Sequence, residues 1–137
     1  MEGDLPGTTW LRRRIHTAAI LEQVADVYPS LAEAVVAAYE AGVRHFGENR
    51  AEEGATKISD VVSAISGPRP KWHMVGHIQS RKAQAVVAHF DYVHSVSRLK
   101  IAHRLSRFAR ESGQTLPALL QCNVSGEETK YGFALQE

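Results

Sequence analysis

Four short polar clusters hold most of the side chains in this chain that could do chemistry. They are Gly47-Glu48-Asn49-Arg50, Gly76-His77-Ile78-Gln79-Ser80, His94-Ser95-Val96-Ser97 and Asn123-Val124-Ser125-Gly126-Glu127-Glu128. One such cluster is an ordinary polar loop; four at one rim of a fold would form a shared pocket for a small molecule. His73 and His77 have the four-residue spacing that binds zinc on one helical face. One lies in a predicted strand and the other beyond Gly76, so a buried histidine bonded to its neighbours is the better reading. Asp26 and Glu48 could be posed as an acid–base pair, but two solvated rim carboxylates are the better reading. Cys122 reads as a small core residue rather than a nucleophile. Arg12-Arg13-Arg14 could touch phosphate, yet such a run is usually a flexible charged arm. No catalytic set emerges, and no reaction is named by Asp26, Glu48 or His77. The basic residues also have a gap, because no lysine precedes Lys57.

The elements that would position these groups are legible from residue 30 onward. Residues 1–17 show no sustained period and are expected to be a flexible N-terminal arm, with 18–137 as the domain. Ala18-Ala19-Ile20-Leu21 could open a strand, but Glu22, Gln23 and Asp26 suit a buried one poorly. Ser30-Leu31-Ala32-Glu33 has the spacing of a capping box. Leu31, Ala34, Val35, Ala38 and Tyr39 then form a helical stripe, and Gly42 closes it in a left-handed conformation. Further strands are predicted at 43–46, 72–75, 92–96 and 116–122. Helices are predicted at 51–65 and 79–88, and from Ser97 as cap to residue 112, with Gly113 beyond its end. In the last helix, Leu99, Ala102, Leu105, Phe108 and Ala109 form a face toward the sheet.

Strands alternating with helices mean parallel β/α units, and right-handed crossovers roll them into a barrel wall. The fold class is therefore α/β: a partial TIM-type (β/α) barrel of about the first five units, with parallel strands. A closed eight-stranded barrel typically takes about 250 residues, so these 137 read as part of one. In such a barrel function collects at the C-terminal ends of the strands, where all four polar clusters fall.

Composition narrows the partners. An apolar content of 44% is enough for a core. A net charge of +1 and a pI near 8.0 give no strong field toward nucleic acid or an acidic membrane. No apolar run approaches the roughly 20 residues of a membrane span. The single cysteine excludes an internal disulfide framework and suits a reducing compartment. A cytoplasmic location is expected.

The ordered motifs also carry a family resemblance. The stretch from Ala38-Tyr39-Glu40-Ala41-Gly42-Val43 through Arg44-His45-Phe46-Gly47-Glu48-Asn49-Arg50 resembles the second-strand signature of the pyridoxal phosphate (PLP) homeostasis proteins, the YggS/PROSC-like family. Trp72-His73-Met74-Val75-Gly76-His77-Ile78-Gln79-Ser80-Arg81-Lys82 is similar to its third-strand motif, and His94-Ser95-Val96-Ser97-Arg98-Leu99-Lys100 to its fourth. Asn123 to Phe133 resembles the fifth. The resemblance covers about residues 28–134, in the family's order and spacing.

It implies the fold of the alanine racemase N-terminal domain, a single barrel that holds PLP with little catalysis of its own and serves vitamin B6 and amino-acid homeostasis. By position, Asn49 would lie near the cofactor ring, with His77 and the Asn123 loop around the same pocket. Glu48 and Arg50 would order the rim by ion pairing. The family's imine-forming lysine has no counterpart: anchoring on Tyr28-Pro29 puts Asp26 there, and counting back from Asn49 lands near Tyr28. Lys71 belongs to the opposite rim and Lys82 to a helix, so neither replaces it. The later strands, whose loops grip the phosphate in barrels of this type, are not encoded in these residues. The expectation is a PLP relative that binds its cofactor weakly and without a covalent bond. The alternative is a half-barrel assembly module, completed by a second copy or a complementary chain that covers its open sheet edges.

Overall fold

The computed structural model of the chain describes residues 30–135. The expected arm at 1–17, the ambiguous strand near residue 18 and Asp26 lie outside the described residues. Helix α1 (Leu31–Glu40) leads to strand β1 (His45–Glu48), α2 (Ala51–Ala64) and β2 (Lys71–Met74). A single 3-10 turn (Ser80–Lys82) then runs into α3 (Ala83–His89), followed by β3 (Tyr92–Val96), α4 (Leu99–Glu111) and β4 (Ala118–Leu120). The four strands form one sheet in the order β1-β2-β3-β4, and every pair is parallel. Each new strand is added beside the last on the same edge, so right-handed crossovers place all the helices on one face. That is the wall of a β/α barrel, not a doubly wound sheet.

Local chemistry sets the element ends. The Ser30 hydroxyl accepts from the Glu33 N–H at 3.2 Å and starts α1. At its other end Gly42, with φ of 101°, allows the Gly42 N–H to reach Tyr39 O and the Val43 N–H to reach Ala38 O, a Schellman closure. That closure consumes Val43, so β1 begins two residues later than predicted. Gly113 closes α4 in the same way, with bonds from Gly113 and Gln114 to Arg110 and Ala109. The predicted helix at 79–88 instead begins as a 3-10 turn, because Gln79 is still extended. The last strand is shorter than predicted, and Cys122 joins only an isolated bridge to Phe133.

Several predicted roles are overturned: Leu99, predicted on the face of α4 toward the sheet, is 66% exposed. Ser97 caps nothing: Arg98 is the residue at the N-cap of α4 and makes no side-chain cap bond. The Ser97 hydroxyl is buried without a hydrogen-bond partner. Cys122 is not a core residue but exposed, because it follows β4, the outer strand among the described residues, whose own side chains are exposed.

Strand alternation divides the sheet into two faces. Phe46, Trp72, Met74 and Val93 point to the helices and form the core with Val35, Ile58, Val61, Val86, Ile101 and Leu105. Parallel register puts Gly47 beside His73 and His73 beside Tyr92, so the other face carries His45, His73, Tyr92 and His94. At the N-terminal rim Asp91 ties strands together: its carboxylate accepts from the Trp72 N–H at 2.8 Å and from Arg69 at 2.7 Å.

Candidate functional site

The C-terminal ends of the parallel strands converge on one rim. β1 and β2 meet there with backbone against backbone. A Cβ added to Gly76 would lie 1.9 Å from the Asn49 carbonyl oxygen. This contact sets Asn49 beside His77, and both line a cleft of about 430 Å³ with Arg50, Gln79, Arg81 and Lys82. Arg50 is paired with Glu53 at 2.7 Å on the surface, and Arg81 Nε donates to Gln79 Oε1 at 3.1 Å. Exposed contacts of this kind are weak and exchangeable, so both guanidinium groups can turn to a bound anion.

Lys82 differs from its expected place on a helix. It lies in the 3-10 turn on the cleft wall and pairs with Glu52. Glu48 is also not the solvated rim carboxylate expected. Its side chain turns to the helix layer and holds Lys57 in a pair whose side chains are only 18% (Lys57) and 11% (Glu48) exposed. Glu48 and Arg50 each pair with a residue of α2, Glu48 in a largely buried pair and Arg50 in an exposed one.

His77 reaches the loop after β4. Its ring stacks on Tyr131 with centroids 3.8 Å apart and planes 18° from parallel. Arg98 lies over the same Tyr131 ring at 5.6 Å. Loss of solvent around the imidazole, followed by the Arg98 charge, holds its pKa below the usual histidine value. The neutral ring, a donor on one nitrogen and an acceptor on the other, is thereby favoured at the rim.

Asn123 builds its loop rather than lining the Asn49–His77 cleft. Its side chain accepts from the Gly126 N–H at 3.1 Å and from the Ser125 hydroxyl at 3.2 Å, and donates to Glu127 O at 2.8 Å. Gly132 sits against this turn, where a Cβ would be 2.6 Å from the Asn123 nitrogen. The loop so folded presents Tyr131 to His77. Sequence reasoning missed Tyr131, whose only signal was an aromatic side chain within a polar loop.

It also missed a row of three imidazoles across the sheet. His45 Nδ1 lies 2.9 Å from His73 Nε2, and His73 Nδ1 lies 3.0 Å from His94 Nε2. Tyr92 stacks on His73 at 4.5 Å. Each N···N bond needs one proton and one lone pair, so a neutral His73 donates to one neighbour and accepts from the other, which couples the three tautomers. His73 is therefore the buried, bonded histidine expected. It does not converge with His77, and no group of three or more metal-ligating side chains is assembled among the described residues. Nor is any described helix long and apolar enough to cross a membrane.

Comparison with known proteins agrees with this fold. Residues 9–137 match the family model of the alanine racemase N-terminal domain. The chain is 42% identical over 105 residues to a pyridoxal phosphate homeostasis protein of Vibrio alginolyticus, covering 77% of this chain and 45% of that protein. It is 39% identical over 107 residues to the protein of the same description in Escherichia coli. Among solved structures, PipY of Synechococcus elongatus without PLP superposes with a TM-score of 0.68 at 40% identity, over 74% of this chain and 46% of that one. PipY with PLP bound gives a TM-score of 0.66 at 39% identity. The chain thus spans about half the length of the relatives it matches.

Proposed function

The chain belongs to the alanine racemase N-terminal domain family, and from that premise we propose that it binds PLP at the C-terminal rim of its sheet without a covalent bond to lysine. The observation that carries this reading is the cleft that holds Asn49 and His77 together with Arg50 and Arg81. Its size lies within the range of about 300–1,000 Å³ usual for small-molecule sites. The donor set suits the cofactor. The forked guanidinium groups of Arg50 and Arg81 match a phosphate, Asn49 offers an amide to a ring substituent, and the neutral His77 offers a ring edge. When bound, PLP supplies an aldehyde and an electron-withdrawing pyridine ring.

The non-covalent mode rests on the lysines. No lysine precedes Lys57, and attack on an aldehyde needs a free amine lone pair. Lys57 is held by Glu48 in a largely buried pair. Lys82 and Lys130 pair with Glu52 and Glu127, and Lys100 is exposed on α4, outside the lining of the Asn49–His77 cleft. Lys71 lies at the start of β2, on the opposite rim, beside Asp91. Such a protein would hold and release the cofactor rather than turn over a substrate.

Titration of the chain with PLP, followed by borohydride reduction and peptide mapping, tests both parts. We expect a saturable absorbance change, weakened about tenfold by Arg81→Gln through loss of a charge-assisted bond, and no defined adduct. A single-site adduct at any one of the five lysines would overturn the non-covalent mode. No saturable change would overturn PLP binding itself.

A second reading is favoured by β4. Leu119 and Leu120 are 53% and 66% exposed on a strand that is outermost among the described residues, beside an apolar groove that includes Leu105 and Leu116. Uncovered strands of this kind recruit partners. In the assembly reading, a second copy or a complementary chain covers β4. Sedimentation should then show concentration-dependent association that Leu120→Lys abolishes. A monodisperse monomer at high concentration would count against self-association.

A further inference from the structure

A second cleft, of about 630 Å³, lies between the start of α4 and the loop after β4, lined by Ser97, Arg98, Leu99, Glu128, Lys130 and Tyr131 among others. We propose that this cleft is an anion subsite for a phosphate group, held by the Ser97 hydroxyl, the first N–H groups of α4 and the Arg98 guanidinium.

The first support is Ser97. The residue is only 3% exposed and lines the cleft, and its hydroxyl oxygen is buried with no hydrogen-bond partner. A buried hydroxyl left unpaired is unfavourable, and the cleft is where a partner could reach it. The position would conventionally cap the helix, yet it does not. That leaves the second support: α4 runs for 13 residues, with no side-chain cap bond and no acidic residue in its first turn. The Ile101 N–H already donates to Arg98 O at 3.0 Å, which leaves the Leu99 and Lys100 N–H groups open at the helix start, and the helix dipole adds partial positive charge there.

Charge on the walls supplies the third support. Arg98 is exposed at the mouth and lies over Tyr131. Lys130 adds a cation on the opposite wall, in an exposed and exchangeable pair with Glu127 at 2.7 Å. Glu128 also lines the cleft and opposes an anion. Its neutralisation should therefore tighten binding, a sign that a purely structural loop would not give. The two clefts share no lining residue, although Tyr131 of this one stacks on His77 of the other.

Inorganic phosphate titrated into the full chain tests the proposal, with backbone amide shifts read by NMR. Saturable shifts are expected at Leu99 and Lys100. Ser97→Ala and Arg98→Gln should each weaken binding about tenfold, while Glu128→Gln tightens it. Because the Ser97 hydroxyl has no partner to lose, Ser97→Ala should leave the unfolding midpoint unchanged or raise it. A lower affinity without lower stability therefore separates a ligand role from a structural one. Glycerol phosphate should bind as well as inorganic phosphate or better, since the cleft is open. Binding more than tenfold weaker would overturn a phosphate-ester ligand. Absence of saturable shifts at α4, or shifts insensitive to Ser97→Ala, would overturn the subsite. PLP-induced shifts confined to Asn49 and His77 would report on the other cleft alone.

Discussion

Replacing Gly76 with alanine is expected to destabilise the fold by about 3 kcal/mol, the upper end of ordinary overpacking, and to remove ligand binding at the rim. The added Cβ would lie 1.9 Å from Asn49 O, 2.6 Å from its carbonyl carbon and 2.7 Å from its Cα. All three atoms are backbone, so no rotamer change relieves the contact. The surrounding chain is pinned as well. Val75 N–H donates to Glu48 O at 2.9 Å, and the Ser95 hydroxyl donates to Gly76 O at 2.6 Å. The strand ends must therefore separate, which pulls Asn49 away from His77 and opens the cleft between them. Gly42→Ala is the control. It introduces strain at φ of 101° but meets nothing within 4 Å, so it should cost only about 1–2 kcal/mol and spare the rim. Denaturant midpoints and the amide shifts of Asn49 and His77 decide the matter. A Gly76→Ala midpoint equal to wild type would show that the strand ends do not press together as described.

Much of the fold was legible because each element carries its own punctuation. Ser30 and Glu33 announce α1, Gly42 and Gly113 end helices, and Tyr92–Val96 is bounded as predicted. The parallel order followed from alternation alone. The site was less legible, because its geometry depends on register between strands and on loop folding. Spacing within β2 shows that His73 and Trp72 face opposite ways, but not that His45 and His94, each offset from His73 by two residues along its strand, come within reach of it. That comes from the pairing of Gly47 with His73 and of His73 with Tyr92. Ser97 failed as a cap for a similar reason. The residue type suits the role, yet α4 begins one residue later, with Arg98 at its N-cap. Asn123 was recognised as a rim residue, but its amide is committed to the turn it folds. Tyr131 could not be paired with His77 from sequence, since a loop that closes through Gly132 brings them together.

The other large effect is expected at Trp72. Trp72→Ala should destabilise by about 3–5 kcal/mol, the range for emptying a buried aromatic site, against a total stability of about 5–15 kcal/mol for domains in general. Trp72 is 0% exposed, and its ring lies 5.3 Å from that of Phe46 on the neighbouring strand. Trp72→Phe should behave differently. The indole Nε1 is buried without a partner, so phenylalanine keeps much of the packing while removing an unsatisfied donor. A loss within about 1.5 kcal/mol is expected for such a swap. The two variants thus separate packing from polarity: a Phe variant as unstable as the Ala variant would mean that the indole nitrogen does find a partner. The effect should also reach the opposite face of the sheet. His73 follows Trp72 in β2 and is bonded on both sides, to His45 and His94. A strand that sinks toward the cavity left by alanine must stretch both N···N contacts. The histidine ring resonances should therefore shift in Trp72→Ala under conditions where the chain is still folded, and stay near their wild-type positions in Trp72→Phe.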